Sequence, residues 1–170
     1  MRQITALLGL PIVFAGANVW AQGKPLCSLL TASDVSALGA TGPGIESAIP
    51  TGNGAAAGDP VKMCNWRLPT GGIHLGASRI PGGASREALM AKLNESWAVL
   101  KTRGWTEEKK DFGGISCTAM TPPPGKKDDP YTTACLTIAK GMMVSITTLS
   151  KARVEMEKVK ALVDSAAGRL

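Results

Sequence analysis

Four cysteines constrain this chain more than any other feature. Cys27, Cys64, Cys117 and Cys135 are widely spread, and no two form the close C-x-x-C pairs of zinc fingers and ribbons. His74 is the only histidine, so a two-histidine metal site is excluded. An even number of separated cysteines reads as two disulfides when a chain is exported. Three pairings are open to four cysteines. The set favoured here is Cys27–Cys64 with Cys117–Cys135. The second pair lies on two short β-like runs expected to be neighbours. Closing that loop would stabilise the fold by roughly 3 kcal/mol in the chain-entropy model.

The first 21 residues carry the export reading. Arg2 gives a short positive start, Ile4 to Phe14 is a short apolar run, and small residues follow at Ala15, Ala17 and Ala21. A charged start, a greasy centre and an A-x-A-like end make a secretory signal. Cleavage is expected after Ala21, with Ala17 as the alternative. The run is too short for a bilayer crossing, which needs about 20 apolar residues. Lys24-Pro25-Leu26 before Cys27 lacks the small residues of a lipoprotein processing site. The expected location is therefore periplasmic or secreted. Residues 22–170, about 149 of them, fit one soluble, monomeric, disulfide-stabilised domain.

The order of elements follows from periodicity and punctuation. Thr31 with Asp34 reads as a capping box opening a short helix that Gly39 stops. Residues 39–60 are rich in Gly, Ala and Pro and read as a long loop with a short strand at Ile45–Ile49. Met63–Leu68 and Ile73–Ile80 alternate around Pro69-Thr70-Gly71-Gly72 and read as a hairpin. Pairing Leu68 with Ile73 puts Trp66 opposite Leu75 and Cys64 opposite Ala77 on the core side. Arg67 then faces His74 on the polar side, beside Asn65 and Ser78.

Ser85 opens a helix running to about Arg103, with Leu89, Leu93, Trp97 and Leu100 as its apolar stripe. Glu107 to Asp111 reads as a charged turn. Strands follow at Ile115–Met120, Thr132–Ala139 and Met142–Leu149, with Leu136, Ile138, Val144 and Ile146 as their shared buried face. Ser150 caps a last helix striped by Met156, Val159, Leu162, Val163 and Ala166. The class is α+β, in the order α-β-β-α-β-β-β-α. A mainly antiparallel sheet of about five strands is expected, with two long helices covering one face.

The full chain carries 19 Lys and Arg against 13 Asp and Glu. Without residues 1–21 the balance is +5, and residues 62–103 alone account for +5. The lysine pairs Lys109-Lys110 and Lys126-Lys127 sit among acidic residues and are neutralised locally. A basic hairpin and helix face suits an acidic partner, such as a glycan, a lipid headgroup or an acidic protein. Aromatic residues are few, and three of the five in residues 22–170 sit on or beside core stripes, which argues against the stacking platforms of nucleic-acid binding.

Catalytic patterns are weak. His74 needs a nucleophile and an orienting acid to act as a base; Ser78 shares its face, but no acid does. There is no G-x-S-x-G and no S-x-x-K. Gly52-Asn53-Gly54-Ala55-Ala56-Ala57 has dinucleotide-loop spacing without the flanking strand and helix that such a loop requires. Glu107-Glu108 and Asp128-Asp129 are adjacent, so their side chains diverge instead of flanking a glycosidic bond. No cofactor is implied.

Cys27-Ser28-Leu29-Leu30-Thr31 with Asp34-Val35, followed by Cys64-Asn65-Trp66, resembles a family of exported bacterial domains of unknown function. These domains are common among actinobacterial surface lipoproteins and carry a C-x-L-L-T … C-x-W signature. The resemblance implies that Cys27 and Cys64 pair, that Trp66 packs near them, and that the fold is a PsbP-like α/β sandwich. It carries no activity over, and this chain lacks the anchor cysteine of those lipoproteins.

The functional expectation is an exported, non-catalytic binding or interaction domain. Its contact surface is the polar hairpin side, Asn65, Arg67, His74 and Ser78, with Arg79 and Arg86 adding charge. Two other classes stand beside it. One is an inhibitor or immunity-type protein acting through the 39–60 and 121–131 loops. The other is a secreted hydrolase using His74.

Overall fold

A computed structural model describes residues 24–51, 58–80, 85–126 and 128–170. The signal segment, the Gly52–Ala57 motif and Pro81–Ala84 lie outside the described residues. The described chain is α+β, built on one seven-stranded antiparallel sheet. A 3-10 turn at Leu26–Leu29 leads into helix α1 (Ala32–Ser36), then strands β1 (Thr41–Thr51), β2 (Gly58–Leu68) and β3 (Gly71–Arg79). Helix α2 (Arg86–Lys101) crosses to β4 (Thr106–Asp111), β5 (Ile115–Thr121), β6 (Tyr131–Ala139) and β7 (Met142–Ser150), and α3 (Met156–Gly168) follows. The spatial order is β1-β2-β3-β7-β6-β5-β4. Two meanders therefore meet at β3 and β7, and β1 and β4 are the edges.

Seven strands replace the expected five, and both additions are edges. The short strand expected at Ile45–Ile49 extends over residues 41–51, residues 58–60 of the expected loop are strand, and so is the expected charged turn at 107–111. Ser150 ends β7 and does not cap the last helix, which starts six residues later with Glu155 at its N-cap. The capping box at Thr31 and Asp34 is present in both directions. Ser85 caps α2 by accepting from the Ala88 amide at 3.2 Å.

The β2–β3 hairpin turns on Pro69-Thr70 alone. Leu68 pairs with Gly71, Trp66 with Ile73 and Cys64 with Leu75. The expected register is off by two residues, which leaves every side chain on its expected face. Arg67 faces Gly72, and the residue opposite His74 is Asn65. Gly71 lies where a Cβ would sit 1.8 Å from the Leu149 carbonyl oxygen, so only glycine lets β3 start this close to β7.

The helices cover opposite faces, not one. Cys64, Trp66, Leu68, Ile73, Leu75, Val144, Ile146, Ile115, Cys117 and Cys135 share a core with the N-terminal arm and the α3 stripe, of which Met156, Val159, Leu162, Val163 and Ala166 are all buried. Strand alternation sends Met120, Ala134 and Leu136 to the other side, where they pack with Trp97 and Trp105. Leu136 and Ile138 thus point away from Val144 and Ile146. Both disulfides, Cys27–Cys64 and Cys117–Cys135, stand on the α3 side. Cys117 and Cys135 are directly opposed on β5 and β6.

Among the described residues, no helix is long and apolar enough to cross a membrane, and no group of three or more His, Cys, Asp or Glu gathers to hold a metal.

Candidate functional site

Cross-strand register places the polar hairpin residues on the α2 face. Ala134 pairs with Thr147, Thr147 with His74, His74 with Asn65, and Asn65 with Ile45. Directly opposed residues share a face, so this row runs from under α2 onto the β1–β3 wing. The wing is partly open. Ile45, Ser47 and Arg67 are exposed, whereas Asn65, Gly72, His74 and Gly76 are half-buried. Ile45 is 68 % exposed, and apart from Val99 it is the one large hydrophobic side chain left to solvent among the described residues.

A hydrogen-bonded ladder crosses three strands here. Asn65 Nδ2 donates to Ser47 Oγ at 2.7 Å and to the Ile45 carbonyl at 3.3 Å. Asn65 Oδ1 lies 2.7 Å from His74 Nδ1. Ser47 was not singled out by the sequence: it falls in the short strand expected at Ile45–Ile49, but the pairing of that strand with β2 was not foreseen.

Gly72 and Gly76 flank His74 on the same face; a Cβ at Gly76 would lie 3.1 Å from Ser145 Oγ. A Cβ at Gly72 would lie 3.2 Å from His74 Nε2, so the imidazole leans over Gly72. Burial pushes the His74 pKa below its ordinary value, which keeps the ring neutral at pH 7.

The other expected contact residues scatter. Ser78 shares the face of His74 but is buried and four residues along the strand, about 13 Å at strand rise and beyond hydrogen-bond reach. Arg79 is exposed at the end of β3, and alternation gives it the α3 face. The Arg86 side chain lies outside the described residues. The structure therefore joins Asn65 to His74, sets Arg67 across from Gly72, and separates Ser78 and Arg79 from them.

Charge pairing divides the molecule. Lys109, Lys110, Lys151, Arg153, Lys160 and Arg169 each meet a carboxylate. In the basic stretch Lys101 meets Glu107. The side chains of Arg67, Arg79 and Arg103 hold no hydrogen bond or ion pair among the described residues.

No family model matches this chain, and no curated protein matches it. The family resemblance of Cys27–Thr31 and Cys64–Trp66 thus rests on those residues. Among solved structures, the solution structure of cyanobacterial PsbP (CyanoP) from Synechocystis sp. PCC 6803 is similar, with 17 % identity and a TM-score of 0.36 over 72 % of this chain and 79 % of that one.

Proposed function

We propose that this is a non-catalytic binding domain acting outside the cytoplasm, and that its β1–β3 wing engages an acidic partner. The observation that carries the reading is Arg67: an exposed, unpaired guanidinium on the polar, open half of the α2 face. Structural arginines in this chain behave otherwise, since Arg153 and Arg169 are both spent on carboxylates. Two disulfides support an oxidising compartment.

Retention on a heparin column against a salt gradient tests this. Arg67→Glu should elute at clearly lower salt than Lys140→Glu, which has the same net charge. Equal elution of the two variants would show that only net charge matters, and the basic wing would be lost as a binding surface.

A further inference from the structure

The neighbours of His74 fix its tautomer. The Ile45 carbonyl can only accept a hydrogen bond, so the amide nitrogen of Asn65 must face it, and Asn65 Oδ1 must face the ring. An amide oxygen can only accept as well, so the proton of the neutral imidazole sits on Nδ1. Ser47 Oγ, at 2.7 Å from the same amide nitrogen, holds that orientation. The lone pair is then on Nε2, which has no partner among the described residues and is not buried. Nε2 leans over Gly72, and Arg67 stands directly across the ladder from Gly72. A bare acceptor and the residue that carries a free guanidinium thus meet at one glycine on the same face.

We propose that His74 Nε2 and Arg67 together bind a hydroxycarboxylate, the hydroxyl donating to Nε2 and the carboxylate lying on the guanidinium. The proposal rests on the basic-wing reading and narrows it. A plain carboxylate or a sulfate has no proton to give Nε2, and its oxygen lone pairs would face the nitrogen lone pair. An ammonium donor would be repelled by Arg67. A ligand with a hydroxyl beside its anion satisfies both groups.

The single histidine makes the test direct. Long-range proton–nitrogen spectra of the 15N-labelled protein report one ring. The free protein should show the Nδ1–H tautomer, and Asn65→Leu should move it toward Nε2–H. Titration with gluconate should shift the Nε2 resonance, with a Kd about five-fold tighter than that for hexanoate or sulfate at matched ionic strength, the size of one neutral hydrogen bond. His74→Phe should erase that preference, and Arg67→Gln should weaken binding of all three anions. An Nε2–H ring in the free protein overturns the proposal. Equal affinity for the three anions, dependent on Arg67, also overturns it and leaves the basic wing standing. If no anion binds and heparin retention is also indifferent to Arg67, both readings fall.

Discussion

Arg169, the penultimate residue, donates from Nη1 to Asp34 Oδ2 at 2.7 Å and to the Leu29 carbonyl at 2.9 Å. The same Asp34 oxygen accepts from the Thr31 amide at 2.7 Å. One carboxylate therefore closes the capping box of α1 and clasps the two ends of the described chain together. Burial alone would raise the Asp34 pKa, but the hydrogen bonds from Thr31 and Arg169 outweigh it and hold the group at about 2. A carboxylate depressed in the folded state adds stability above its ordinary pKa, near 3.8, and that stability fades as pH falls toward about 2. Urea midpoints should drop between about pH 4 and pH 2. Asp34→Asn should flatten that part of the profile and cost about 1 kcal/mol at pH 7. An unchanged acid limb in Asp34→Asn would remove the clasp from the account.

Gly44 marks where β1 closes over the first disulfide. The β1–β2 register shifts between Thr41 and Ile45, and the bulge contains Gly42 at a φ of 82°. A Cβ at Gly44 would lie 2.5 Å from Cys64 Sγ and 2.7 Å from the Trp66 ring. Gly44→Ala should destabilise by roughly 1–3 kcal/mol through overpacking. Gly168→Ala, at the end of α3 with nothing within 4 Å of the added carbon, should be neutral or stabilising by up to about 1 kcal/mol. Thermal melts of the two variants check the contrast. An unshifted melt for Gly44→Ala would mean that β1 does not close on Trp66.

The disulfides should differ in their response to reductant. Cys117 and Cys135 are both 1 % exposed, whereas Cys27 is half-buried on the N-terminal arm. Reduction needs access of a thiolate to sulfur, so limiting reductant should open Cys27–Cys64 first. Its sequence separation is 37 against 18 for the other pair, and the chain-entropy model assigns the longer loop roughly 4 kcal/mol and the shorter roughly 3 kcal/mol. Trapping free thiols with a mass label over time reads the order. A non-reduced peptide joining Cys27 to Cys117 or Cys135 would overturn the pairing itself.

The sequence was legible where side chains are buried by period. The stripes of α3 and the β2–β3 faces follow from apolar spacing, and a register error of two residues did no harm because parity survived. The edges were less legible for the same reason. Of β1, with Gly42, Pro43, Gly44 and Pro50, only a short strand at Ile45–Ile49 was expected, and β4, with five consecutive charges from Glu107 to Asp111, shows no apolar alternation. Backbone pairing alone makes them strands. The second core did leave a sign: Ala134-Cys135-Leu136 is apolar on consecutive positions, as a strand covered on both faces must be. The candidate site was half visible. Asn65, Arg67 and His74 fell on one face from the pattern, but the His74–Asn65 bond depends on register, and Ser47 depends on the pairing of β1 with β2.

Among the described side chains, helix α2 buries Leu89 and Trp97. Trp97 packs with Trp105, Met120, Ala134 and Leu136, and Met90 and Leu100 pack partly against that cluster. The opposite helix, α3, buries five residues in the main core. Trp97→Ala should therefore cost about 3 kcal/mol or more, and the loss should be local at first. Hydrogen exchange is expected to accelerate across Arg86–Lys101 well before Met156–Gly168, because α2 can detach while both disulfides and the α3 core persist. Uniform acceleration in both helices would instead make the two faces one cooperative unit. The distinction bears on binding, since α2 borders the open wing that carries His74 and Arg67. A variant with α2 detached but anion binding retained would place the whole site on the strands.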